Sequence, residues 1–378
     1  MARTLIVTND FPPKRGGIEN YVYQLARRLP ADQIVVFTSG AAGDSAFDAS
    51  LPFPVIRART RVLLPNPHIV RGAKALIERF GCDSVWFGAA ASLGLMASHL
   101  RRHTSVQRLV GSSHGHECFW AKAQPTRAAI RQLGESLDHI TYISRYTERS
   151  IGAVLTPLAR SRMVRLSPGV DPEQFWPPRD PVEVLERHGL VGRRVVLSIS
   201  RLVPHKGQDT LIRALPRVLA AVPDAALLVV GDGPNREALS KLADRLSVAG
   251  AVRFAGPVPN TEIAPYYSAG EVFALPTRDR TAGLQSEGLG MVCLEAAAAG
   301  LPVVVGDSGG APETVREGET GFVVRSTDTT AVADRLIELL SEPERAKAMG
   351  QAGRQWMAED WSWDQRVVTL RGLLEGQA

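Results

Sequence analysis

Glu287 and Glu295 enclose seven residues, Gly288-Leu289-Gly290-Met291-Val292-Cys293-Leu294, so a glycine-bearing bend and an apolar helical start lie between two carboxylates. Carboxylates accept hydrogen bonds, and one of this pair can take sugar hydroxyls while the other takes those of a ribose. A helix that starts after such a bend aims the amides of Gly290, Met291 and Val292 at an anion. An acidic first turn is common for electrostatic reasons alone. That does not account for two glycines and two carboxylates around an otherwise apolar segment.

A second set is Ser200-Arg201-Leu202-Val203-Pro204-His205-Lys206-Gly207. Arg201 offers a planar fork of donors and Lys206 a compact charge, a pair suited to a diphosphate. A solvated loop is the ordinary fate of such cations. Their place just after the strand-like run Val195–Ser198 favours a ligand. A third set is Lys14-Arg15-Gly16-Gly17-Ile18, where Gly16 and Gly17 let backbone approach an anion at a helix start. It reads equally as a plain turn, and it is neither a Walker A sequence nor G-x-G-x-x-G. His114-Gly115-His116-Glu117 follows the run Gln107–Ser112, with His114 favoured over His116 as the nearer to the strand end. A hydrogen-bonding role and a buried structural role both fit it. Asp10, in Thr8-Asn9-Asp10-Phe11-Pro12-Pro13, either orients an acceptor hydroxyl or makes an Asx turn. No metal is expected: the histidines lack H-E-x-x-H spacing and no D-x-D string occurs. Gly231-Asp232-Gly233-Pro234 reads as a turn and not as an NAD loop.

These loops need strands to carry them. Leu5–Val7, Gln33–Thr38, Ser84–Gly88 and Gln107–Ser112 read as strands, and Ile18, Tyr21, Val22, Leu25 and Leu29 share one helix face. A small-residue helix is expected near Ala90–Leu100. The second half repeats the grammar with Val195–Ser198, Ala226–Val230, Val252–Ala255, Val272–Leu275, Pro302–Gly306 and Gly321–Val324. Pro216 should kink the helix that carries Leu211 and Leu215. Alternating strands and helices predict an α/β protein of two doubly wound parallel sheets, with ligands at the carboxyl ends of strands. A length of 378 residues agrees with two domains. We place them at 1–170 and 171–355, divided in the Pro-rich stretch 167–181, with a terminal helical segment 356–378 that crosses back to the first.

The combination of Gly16-Gly17, Arg201…Lys206 and Glu287-x7-Glu295 resembles the retaining glycosyltransferases of family 4, and the likeness spans nearly the whole chain. Thr8–Pro13, Val85–Ala91, His114–Glu117 and Glu287–Gly290 narrow it to the branch that mannosylates phosphatidylinositol mannosides in actinobacteria. The resemblance implies the GT-B fold, two Rossmann-like domains facing across a cleft. It implies GDP-mannose as donor, a phosphatidylinositol monomannoside as acceptor and an α-1,6 linkage. By the same resemblance Arg201, Lys206 and the Gly17 amide neutralise the departing diphosphate. Glu287 holds the transferred sugar, Glu295 the ribose, and His114 the sugar near its reacting carbon. Leu289 departs from the commoner Phe of the family, which changes packing and no polar contact.

Composition limits the rest. Hydrophobic residues are 44% and charged residues 22%, ordinary for a globular chain. Three cysteines make no disulfide framework, which fits a reducing, cytoplasmic setting. No run of apolar residues is long enough for a transmembrane helix. Between Arg57 and Arg108 nine Arg or Lys face two acids, Glu78 and Asp83, against a net charge of +5 for the whole chain. Such a patch suits an anionic inner-leaflet surface, with Leu63, Leu64 and Ile69 as apolar aids. Nucleic acid is not expected, since no recognition motif accompanies the charge. The alternatives are a family 4 enzyme with another donor or a soluble acceptor, a sugar-nucleotide epimerase, and a nucleotide sensor.

Overall fold

Short β-branched runs bounded by turn residues become strands, and the computed structural model places them in two all-parallel sheets. Residues 3–14, 16–176, 178, 180–280 and 285–377 are described. Arg15 of the third motif and Pro177 of the expected boundary lie outside them. The chain divides into two compact units, Met1–Pro168 with Trp363–Ala378, and Gly169–Ser362.

In the first unit the strands are β1 (Thr4–Thr8), β2 (Ile34–Ser39), β3 (Val55–Ala58), β4 (Ser84–Phe87), β5 (Arg108–Ser113), β6 (His139–Tyr142) and β7 (Met163–Arg165). Their order is β3-β2-β1-β4-β5-β6-β7. β1, β2 and β4 are buried along their whole length, as expected for strands covered on both faces. The first core joins Leu5, Val7, Val35, Val85, Phe87 and Leu109 to helix residues such as Ile69, Leu76 and Leu133.

The second unit has β8 (Arg194–Ile199), β9 (Ala225–Val230), β10 (Val252–Gly256), β11 (Val272–Leu275), β12 (Val303–Gly306) and β13 (Gly321–Val324), in the order β10-β9-β8-β11-β12-β13. In both sheets the order reverses beside the first strand, between β1 and β4 and between β8 and β11. The crevice at such a switch point is where open α/β sheets bind ligands.

Some expectations need correcting. β3, β6 and β7 are strands that the apolar pattern does not announce: β3 is half-buried throughout, and β7 has three residues with an exposed end. The segment near Ala90–Leu100 is a short 3-10 turn, Leu93–Met96, running into a helix only at Ala97–His103. The return to the first unit begins at Trp363, since Trp356 belongs to the helix Pro343–Asp360 of the second unit. The outgoing and returning segments run side by side where the Val170 amide donates to the Trp361 carbonyl at 2.8 Å. The helix Trp363–Glu375 buries Trp363, Leu370, Leu373 and Leu374 and packs on β4 and β5.

Candidate active site

In the second unit three strand ends bring their loops together. The loop after β8 carries Lys206 and closes at Gly207, whose φ of 78° is the left-handed conformation that favours glycine. A Cβ there would stand 2.0 Å from the Pro276 carbonyl oxygen in the loop after β11. The same loop is tied down by the Arg278 amide, which donates to the His205 carbonyl at 2.9 Å. Arg278 also donates to Asp209 Oδ1 at 2.6 Å and to Thr210 Oγ1 at 3.1 Å at the start of the following helix. From β12, Ser308 Oγ donates to Asp279 Oδ1 at 2.6 Å and accepts from the Glu287 amide at 3.2 Å. The Gly310 amide donates to the Glu287 carbonyl at 2.9 Å. Close loop packing fixes the backbone that carries Lys206 and Glu287.

Lys206 Nζ donates to Glu287 Oε2, and the two side chains are only 17% and 11% exposed. Burial opposes ionisation of Glu287. The charge and hydrogen bond of Lys206, aided by His205 and the Gly288 amide, more than reverse that and hold its carboxyl below the usual range. Burial, with the Lys206 charge behind it, lowers the pKa of His205, so its ring is neutral near pH 7. Arg201, from the same loop, is exposed.

Glu287 precedes the helix Met291–Ala298, capped by Gly290 at φ 95° with no side-chain cap. The first-turn amides from Gly290, Met291 and Val292 therefore have no side-chain acceptor at the cap. Glu295 is the fifth residue of this helix, just over one turn in. Burial raises its carboxyl pKa, and the hydroxyl of Tyr267, donating to Oε2 at 2.7 Å, partly offsets the rise.

In the first unit the loop after β1 holds Asp10, whose amide donates to Thr8 Oγ1 at 3.0 Å. Burial raises the Asp10 pKa, against the opposing charges of His116 and Lys14. Lys14 is engaged locally, donating to the Asn9 carbonyl at 3.1 Å and to Ser39 Oγ at 2.7 Å. Gly16 is extended at φ 172°, and Gly17 opens the helix Gly17–Ala26. The Glu19 carboxylate lies over Gly16, with Oε2 2.2 Å from where a Cβ would be.

β5 delivers His114, which is 8% exposed. Its Nε2 stands 2.6 Å from the Gly88 carbonyl at the end of β4. A carbonyl only accepts, so Nε2 carries the proton; burial lowers the ring's pKa and leaves it neutral, with Nδ1 as an acceptor. The ring meets Tyr21 edge-on at 4.8 Å, and the Tyr21 hydroxyl donates to the Leu166 carbonyl at 2.9 Å.

Glu117 is 1% exposed and outside the expected set. Its Oε2 accepts from the His114 amide at 2.9 Å and the Gly115 amide at 3.3 Å, and Oε1 lies 3.3 Å from His116 Nε2. Burial works against its charge, but His116, His114 and the amides hold its pKa below the usual value. The sequence signal was a carboxylate in the first turn after a glycine. Among the described residues no group of three or more His, Cys, Asp or Glu is placed to hold a metal ion.

Each unit matches one family model: "Glycosyltransferase Family 4" over residues 15–174 and "Glycosyl transferases group 1" over 185–356. The chain is 44% identical over 99% of its length, and 98% of the relative's, to the GDP-mannose-dependent alpha-(1-6)-phosphatidylinositol monomannoside mannosyltransferase of Mycolicibacterium smegmatis. It is 40% identical, over 99% of its length and 98% of the relative's, to the GDP-mannose-dependent monoacylated alpha-(1-6)-phosphatidylinositol monomannoside mannosyltransferase of Corynebacterium glutamicum. A solved structure, Anabaena Alr3699/HepE in complex with UDP, superposes with a TM-score of 0.83 at 19% identity, covering 99% of this chain and 100% of that one. Two Rossmann-like sheets, two matched halves and full-length relatives lead to one assignment: the chain belongs to the family 4, group 1 glycosyltransferases of GT-B fold.

Proposed function

We propose that the protein transfers mannose, with retention, from GDP-mannose to a phosphatidylinositol monomannoside, forming an α-1,6 linkage. The observation that carries this reading is the 44% identity to the Mycolicibacterium enzyme over 99% of the chain. Breaking the glycosyl–phosphate bond places negative charge on the diphosphate and positive charge on the sugar. Lys206 and Arg201 supply cations for the first, and the Gly17 amide adds a dipole. Losing one donor aimed at developing charge costs about 2.7–4 kcal/mol in well-studied enzymes. Glu287 orients sugar hydroxyls, Glu295 those of the ribose, His114 Nδ1 accepts from the sugar, and Asp10 orients the acceptor hydroxyl. The leaving phosphate takes the acceptor's proton as the new bond forms on the same face of the sugar. The side-chain cations do the work a bound divalent metal does elsewhere, so excess EDTA should leave the rate unchanged.

The lipid acceptor also calls for a membrane surface. Arg59, Arg61, Arg71 and Arg79 are exposed, and Val62 and Leu64 are each 55% exposed on the same stretch. Leu63 and Ile69, expected to face lipid, are instead 0% and 2% exposed and belong to the core. Arg57 is committed to Asp48 at 2.7 Å, and Arg101 to Asp138 at 2.8 Å. No described helix is long and apolar enough to cross a membrane. We assign the attachment to the inner face of the plasma membrane through this stretch.

The test is to offer the protein labelled GDP-mannose, UDP-glucose and UDP-N-acetylglucosamine with phosphatidylinositol monomannoside or with D-inositol 3-phosphate. Mannose appearing in the lipid from GDP-mannose alone is expected. Transfer only to the soluble inositol phosphate, or donor conversion without acceptor, would overturn the reading. Flotation with vesicles should show binding that needs anionic lipid and is weakened in the double variant Val62→Ser, Leu64→Ser.

A further inference from the structure

Glu295 has a partner that none of the motifs contains. Tyr267 lies in the short helix Ala264–Ser268 that precedes β11. It is 0% exposed, held edge-on by Phe175 at 5.3 Å and beside Phe273 at 6.1 Å. Its ring is therefore fixed, and so is the direction of its hydroxyl. That hydroxyl donates to Glu295 Oε2 at 2.7 Å; the Val292 carbonyl, at 3.4 Å, is a distant second acceptor. Burial and the neighbouring Glu295 charge keep the phenol protonated well beyond neutral pH, so its O–H is present to donate to the carboxylate.

We propose that Tyr267 is a positioning residue for nucleotide ribose recognition: it fixes the Glu295 carboxylate in one orientation and in its ionised form. The argument rests on the assignment of Glu295 to the ribose. Two neighbouring ribose hydroxyls are two donors, and a carboxylate receives both only when it is charged and turned to present its open lone pairs. The Tyr267 hydroxyl occupies one lone pair of Oε2 and leaves the others to the ligand. Burial pushes Glu295 toward its neutral form, and the phenol is the group that opposes this. Without it, Glu295 rotates more freely and holds a proton to higher pH. A protonated carboxyl has lost acceptor capacity and competes with the ribose as a donor. Tyr267 thus sets preference for a ribonucleotide over a deoxyribonucleotide without touching the ligand.

The test compares GDP with 2′-deoxy-GDP by calorimetric titration of the full-length protein. Wild type should prefer GDP by about tenfold, the scale of one hydrogen bond to a charged group. In Tyr267→Phe that preference should fall to about twofold or less, with KM for GDP-mannose raised severalfold and kcat nearly unchanged. The variant's GDP affinity should also fall more steeply than wild type's as pH drops from about 8 to about 6, because the unsupported carboxyl takes up a proton. Both nucleotides are titrated against one preparation, so any loss of folded protein cancels from the ratio. Glu295→Ala separates the two levels of the argument. If it abolishes the preference while Tyr267→Phe keeps it in full at every pH, Tyr267 has no such role and the ribose assignment stands. If wild type shows no preference, or Glu295→Ala keeps it, the ribose assignment fails and this proposal with it.

Discussion

Glu117 in the first unit and Glu287 in the second are both buried carboxylates held below the usual carboxylate pKa, but they are held by different things. Glu117 has His116 Nε2 3.3 Å from one oxygen, but its other oxygen is satisfied by the backbone amides of His114 and Gly115, which belong to its own turn and cannot leave. Glu287 is satisfied by the ammonium of Lys206, a flexible side chain that can be drawn away by a stronger anion. The difference separates two uses of one chemical group. An amide-bound carboxylate fixes local backbone, and here it fixes the residue that presents His114. An ammonium-bound carboxylate is stored in a charged, desolvated state from which both partners can turn to a ligand. Removing the first should be felt in folding, and removing the second in turnover.

The contrast breaks most visibly in rate. Glu287→Ala and Lys206→Ala should each lose about 100- to 1,000-fold in kcat, as for other groups aimed at developing charge, while thermal unfolding shifts little. Near-normal turnover in both would remove them from the chemistry. Glu117→Ala comes next. It orphans two buried amides, so stability should drop by about 1–3 kcal/mol in a denaturant titration. A variant as stable as wild type would mean the turn holds itself.

A finer separation uses pH. Glu117 has a depressed folded-state pKa, so its contribution is present above the unfolded value and disappears as pH falls through the folded one. Glu117→Gln should therefore flatten the acid limb of a stability–pH curve without altering its neutral plateau by as much. An unchanged acid limb would show that the carboxylate is not charged in the fold. The smallest effect is expected at Ser308, which joins the Glu287 amide to Asp279. Ser308→Ala should raise KM for the donor a few-fold and cost about 1 kcal/mol of stability; no change in either would mean the Gly310–Glu287 bond alone positions the loop.

How much of this was legible in the sequence follows from what each feature depends on. β8, β9, β11, β12 and β13 are continuous apolar runs because both faces of a parallel sheet are covered, and a run of that kind can be read directly. β3, β6 and β7 sit at or near a sheet edge, where burial is partial and the pattern fades. Lys206 and Glu287 could be picked out because a charged side chain beside glycine after a strand is unusual, and Glu295 by its spacing from Glu287. Tyr267 could not: an aromatic residue in an apolar stretch looks like core, which it also is. Its hydroxyl finds Glu295 only through the packing of two helices that are apart in sequence. Glu117 was hidden for a similar reason, since a motif with two histidines draws attention to the rings and away from the backbone that presents them.

The helix Trp363–Glu375 is synthesised long after β4 and β5, yet it covers both. On a ribosome the first sheet can form early but keeps an uncovered apolar face until that helix has emerged. A gene cut at the unit boundary would deliver a first unit with that face bare. Supplying the final segment as a separate peptide should restore its solubility.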